Sequence, residues 1–149
     1  MAETTPSEIT KIEWRTAGGS WTEIDGPLDF NIRADRFAEA SDLGRVPGKL
    51  RIRGEIFTRG IDEHLAMMDA TVVAGTLNEI RVNYKTEEAE FRRMTITSVM
   101  FTGFGAINLG RRTLTGKKPN AEGCKTPFEI SITDPNLDTP TDYITDISV

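Results

Sequence analysis

The chain has few of the groups that carry chemistry. Its 149 residues include one cysteine, Cys124, and one histidine, His64. A single cysteine cannot form an intrachain disulfide, which agrees with folding in a reducing cytoplasm. Nothing beside Cys124 in the sequence supplies the base that a nucleophilic thiol needs. A helical metal site at His64 would use a second histidine at i+4, and that position is Met68. His64 therefore reads as a surface histidine, and with no serine placed to receive it a Ser–His–Asp triad is discounted. No apolar run approaches the roughly 20 residues of a membrane helix. The polar, acidic start MAETTPSEIT lacks the basic end and apolar block of a secretory signal. Basic residues are also missing from Pro127 to Val149, a stretch that holds Glu129, Asp134, Asp138, Asp142 and Asp146.

Two segments come near a ligand-binding motif and fail it. Gly110–Lys118 (GRRTLTGKK) has five residues between its glycines where a phosphate loop has four, and Lys118 stands where Ser or Thr would hold the metal. Asp134, Asn136, Asp138 and Asp142 could gather round calcium, but Pro135 and Pro140 break the EF-hand spacing and its glycine is missing. No catalytic residue, metal or cofactor is expected, and an enzyme is the weakest of the functional readings.

What is present fits one ordinary domain over 1–149, long enough to bury a core: 38% hydrophobic residues, 28% charged and a net charge of −5. Gly110–Thr126 gathers Arg111, Arg112, Lys117, Lys118 and Lys125 against Glu122 alone. An acidic protein binds nucleic acid through phosphates only where such a patch dominates. A solvated loop, or an electrostatic partner for the acidic tail of a neighbouring copy, is the favoured reading.

The hydrophobic period changes twice between Lys49 and Phe101. Lys49–Arg59 alternates, Ile61–Ala74 runs at helical spacing, and Glu79–Lys85 and Phe91–Phe101 alternate again. Period 2 marks a strand with one buried face and period 3.6 an amphipathic helix. The expected helix covers about Ile61–Val73, with Ile61, Leu65, Met68 and Val72 on its apolar face, Asp62 and Glu63 in its first turn, and Gly75 as its stop. Ile9–Arg15 and Trp21–Ile24 read as a hairpin around a Gly-rich turn, and Leu28–Asp35 as a half-buried strand. Arg36–Gly48 reads as a long loop with a helical turn around Phe37–Ala40, poorly ordered in a free subunit. Phe128–Thr133 is the last expected strand, with Glu129, Ser131 and Thr133 outward, and the tail from about 134 reads as an extended arm. The fold class is mainly β: an antiparallel sandwich of two sheets, or a barrel, with one flanking α-helix.

This order of elements resembles the tail-tube proteins of tailed bacteriophages and, through them, the tube proteins of contractile injection and type VI secretion systems. The likeness is carried by Gly48–Ala70 (GKLRIRGEIFTRGIDEHLAMMDA), Glu79–Phe104 and Thr126–Ile132, within a span from about Ile9 to Thr133. The resemblance implies hexameric rings that stack into a hollow tube, with strands joining across subunits into a continuous barrel around the lumen. It implies a structural protein of the virion tail, assembled in the bacterial cytoplasm, through which DNA passes during genome ejection without specific binding. Partners would be further copies of the chain, the tape measure, baseplate and terminator proteins, and a sheath protein if the tail contracts; no membrane is involved. On this reading Asp29, Glu55, Glu129, Ser131 and Thr133 are expected to face the lumen, where Arg51 and Arg53 fit poorly. Arg36, Phe37, Leu43, Arg45, Arg111, Arg112, Lys117 and Lys118 are expected at contacts between subunits or rings. The alternatives are a monomeric β-sandwich binding module, for decoration or receptor recognition, and a secretion-system tube subunit.

Overall fold

The computed structural model describes residues 6–41, 44–70, 76–103, 107–108 and 123–149, with the backbone alone at 28, 37–41, 45–47 and 107–108. The strands are β1 (Pro6–Thr16), β2 (Thr22–Ile24), β3 (Pro27–Ser41), β4 (Gly44–Thr58), β5 (Asn78–Thr86), β6 (Phe91–Phe101), β7 (Ile107–Asn108), β8 (Gly123–Ile130) and β9 (Ile144–Ser148). The helix α1 (Asp62–Ala70) lies between β4 and β5, and a 3₁₀ turn at Pro140–Asp142 precedes β9. The expectation of a mainly β, antiparallel chain with one helix is met. The two sheets expected of a sandwich are instead one continuous nine-stranded sheet, ordered β2-β1-β5-β6-β8-β4-β3, with β7 added to β8 and β9 to β6.

Among the described residues the sheet does not close on itself: β2 and β3 end the order without pairing with each other. An open groove of about 700 Å³ lies between β1 and β3, lined by apolar groups that include Ile9, Phe30, Ile32 and Met94.

Strand β6 holds the architecture together. One edge pairs with β5 along its length, while the other is divided, Arg92–Ile96 pairing with β9 and Val99–Phe101 with β8. The changeover falls at Ser98, whose φ is 58°, where the β5–β6 register also shifts. Such a bulge bends the strand and increases its twist. The backbone groups it frees are still satisfied: the Thr97 N–H donates to the Tyr143 carbonyl at 2.9 Å, and the Ser98 carbonyl accepts the Ser131 N–H at 2.8 Å.

Alternation along the strands forms the core. Asn78, Ile80, Val82, Tyr84 and Thr86 of β5 are buried, and the residues between them are half-buried. Trp14 meets Phe101 edge-on at 5.8 Å between ring centres, and Phe30 stacks on Phe128 at 5.8 Å. Each such side chain contributes roughly 1.5–3 kcal/mol through burial. Gly54 of β4 permits the second contact, because a Cβ there would sit 2.7 Å from the Phe128 ring and 2.1 Å from the Asn31 carbonyl oxygen.

Three segments depart from the sequence reading. Arg36–Gly48 is not a loop: β3 and β4 form a long hairpin paired from Pro27–Thr58 out to Ser41–Gly44, with a register shift between Arg36 and Ala38. The pairing begun by the half-buried strands continues outward through main-chain bonds, which need no apolar face to persist. The helix spans Asp62–Ala70, and residues 71–75, with the rest of its expected span, lie outside the described residues. Its buried face is His64 and Met67, while Ile61 and Leu65 are 41% and 45% exposed. The tail is not an arm: it folds back, adds β9 to β6 and buries Tyr143.

Candidate functional site

The sheet presents two charged outward faces of different character. On β1, β5 and β6, Glu13 is nearly covered by its partners: Arg81 grips it with two hydrogen bonds of 2.8 and 3.0 Å, and Lys11 approaches to 3.8 Å. The Arg81 hydrogen bonds hold the Glu13 carboxyl below its ordinary range, against the opposing effect of burial. Arg93 donates to Asn83 at 2.9 Å, and Arg15 pairs with Glu79 at 3.2 Å. The guanidinium groups of Arg15 and Arg81 lie over the Trp21 ring, 4.4 and 4.3 Å from its centre. Every one of these cations has an anion, an amide or an aromatic face beside it.

The face of β3, β4 and β8 is not balanced in this way. Arg53, in the middle of the three strands, is directly opposite Arg33 on β3 and Glu129 on β8. Like charges in opposed positions repel. Glu129 does not relieve Arg53, because Arg51, one step along the same face, takes its carboxylate at 2.8 Å. Among the described residues Arg33 reaches only Asp35, at 4.0 Å. The Arg53 side chain has no hydrogen bond or ion pair among the described residues, and its Nε is buried without a partner. These residues line an open groove of about 620 Å³, together with Asn31, Glu55 and Thr102.

A buried polar anchor attaches α1 to the sheet. His64, fully buried, has Nε2 2.6 Å from the Thr58 hydroxyl and Nδ1 in contact with the Thr126 hydroxyl. Burial holds its pKa below the ordinary value, only partly offset by Glu63. The expected surface histidine is a structural one. Its two ring nitrogens set the rotation of α1, which explains why the more apolar Ile61–Leu65 side is turned outward. Cys124, opposite Thr58 in the β4–β8 register, is buried as well, and burial pushes its thiol up. Among the described residues no three His, Cys, Asp or Glu gather closely enough to hold a metal ion. No helix among them is long and apolar enough to cross a membrane.

No model of a known protein family matches the chain, and no curated protein matches it.

The residues expected at the lumen are only partly brought together. Glu55 and Glu129 share the groove of β3, β4 and β8, but its three arginines make that face mixed in charge instead of acidic. Asp29 is exposed and accepts the Phe30 N–H at 2.8 Å. Ser131 and Thr133 lie beyond the end of β8, and the Thr133 N–H donates to the Tyr143 hydroxyl at 2.8 Å.

Arg36, expected at contacts between subunits or rings, serves within the chain as a clamp. Its guanidinium donates to the carbonyls of Gly48, Pro135 and Asn136 at 2.9, 3.1 and 3.0 Å, and also to that of Asp138. Phe37 and Arg45 lie in the β3–β4 hairpin with backbone alone described, while Leu43, Arg111, Arg112, Lys117 and Lys118 fall outside the described residues. Sequence reasoning missed Arg33 as a member of the groove, although alternation placed it outward. The opposition of Arg33 to Arg53 depends on strand register, which periodicity does not specify.

Proposed function

We propose that the chain is a structural subunit that assembles with copies of itself into hexameric rings and a stacked tube, as its resemblance to phage tail-tube proteins implies. The observation that carries this reading is the open edge of β3. It is 15 residues long and, among the described residues, pairs on one side only, with β4, in a sheet that stops short of closure. An unpaired strand of this length is a template for another chain, even with register shifts at Pro27–Asp29 and Arg36–Ala38. Pairing with a neighbouring copy would extend the sheet and satisfy its backbone groups. The exposed apolar side chains Ile61, just before α1, and Leu65 on α1, with Phe91 and Ile147 on β6 and β9, add surface that assembly would cover.

The lumen is better assigned to the face of β1, β5 and β6 than to Asp29, Glu55 and Glu129. A conduit for DNA needs cations that are already neutralised, because free ones bind phosphate without regard to sequence. The Glu13–Arg81 and Arg15–Glu79 pairs meet that need, and Arg53 does not.

The test is electron microscopy and sedimentation of the purified chain over a range of concentration. Rings or tubes six subunits around are expected. A chain that stays dispersed as a monomer at every concentration would overturn the reading in favour of a binding module.

A further inference from the structure

Three arginines on one face, one of them with a buried unpaired nitrogen, make an arrangement that the folded chain leaves electrostatically unfinished. Arg33 and Arg53 are opposed across the β3–β4 ladder, where facing residues are only about 4.5–5.5 Å apart at the backbone. Nothing among the described residues answers Arg53, and Glu129 is engaged by Arg51. A buried donor without a partner is destabilising, and more so when it belongs to a charged group. Arg53 also lines the groove, where an acceptor can approach its guanidinium.

We propose that the groove of β3, β4 and β8 is a binding site for a small phosphate-class oxyanion, held between Arg33 and Arg53. Guanidinium groups match phosphate oxygens in forked geometry, and their hydrogen bonds to an oxyanion are charge-assisted. The groove, of about 620 Å³, has room for more than the phosphate itself, so a phosphate ester fits as well as the free ion. Asn31 and Thr102, which also line it, supply neutral hydrogen-bonding groups. Glu55 has no cation of its own among the described residues; it suits the hydroxyl of a protonated phosphate, or one next to the phosphate in an ester. The site is complete within one chain and does not depend on tube assembly.

The test is calorimetric titration of the chain with sodium phosphate against sodium chloride at matched ionic strength. The Nε–Hε signal of Arg53 is followed by NMR in the same series. One phosphate per chain is expected, with an Arg53 shift that chloride does not produce. Losing one charge-assisted bond is worth about 1.5–3 kcal/mol, so Arg53→Gln should weaken binding by about tenfold or more. Arg33→Gln should weaken it in the same direction, and because the Arg33 side chain is 62% exposed this variant decides the matter should Arg53→Gln fail to fold. Equal behaviour in phosphate and chloride, or unchanged affinity in the variants, would overturn the proposal.

Discussion

The one imidazole of the chain serves adhesion, and this makes it sensitive to acid. His64 is buried between Thr58 and Thr126, with Cys124 nearby on β8 and Glu63 beside it on α1. Its pKa in the folded chain lies below the ordinary 6.5, so the fold favours the neutral ring. The associated stability is fully present above 6.5 and is lost as pH falls from there through the lowered folded value. Glu13 acts later: its carboxyl is held below the ordinary 4.5, so its contribution is present above that value and lost only at lower pH. The thermal unfolding midpoint should therefore fall between about pH 7 and 5, and His64→Gln should flatten that slope while costing about 1–3 kcal/mol at neutral pH. A variant that keeps the wild-type slope would show that another group is responsible. The burial of His64 was not legible in the sequence, because a histidine between Glu63 and Leu65 at helical spacing is equally compatible with an exposed face. The hydroxyls that receive it come from β4 and from β8, and the second is 62 positions away.

At the scale of elements, strands with one apolar face were the most legible. The first hairpin, Leu28–Asp35 within β3, β5 and β6 were all readable from alternation because each lays one face on the core. The outer parts of β3 and β4 were not, since Arg36–Gly48 shows no regular apolar alternation in the sequence. The tail misled for a related reason: its Pro, Asp and Thr content suits an arm, yet its order comes from polar contacts. Tyr143 is 7% exposed, and its hydroxyl accepts the Thr133 N–H and donates to the Asp138 carboxylate. Arg36 draws three more tail carbonyls toward β3 and β4. Tyr143→Phe keeps the ring and removes these bonds, so it should lower stability by about 1–3 kcal/mol in denaturant unfolding. An unchanged denaturation midpoint would mean that the ring alone anchors the tail.

At the scale of the whole molecule, the order of strands in the sheet has a consequence for the time course of folding. Three hairpins, β1–β2, β3–β4 and β5–β6, join neighbours in the sequence and can form early. The pairings that complete the sheet, β1 with β5 and β4 with β8, close distant parts of the chain; Glu13 and Arg81, for example, are 68 positions apart. Non-local pairing of this kind places folding in the range of about milliseconds to seconds. The open edge of β3 belongs to an early hairpin, so it is exposed before the rest of the sheet exists. Intermolecular pairing at that edge then competes with completion of the sheet, and only the intermolecular route accelerates with concentration. Refolding yield from denaturant should therefore fall as protein concentration rises, while the rate of the intramolecular phase stays constant. A yield independent of concentration would mean that β3 remains covered until the sheet is whole. Growth onto an existing assembly would face no such competition, because the strand that β3 meets there is already in place.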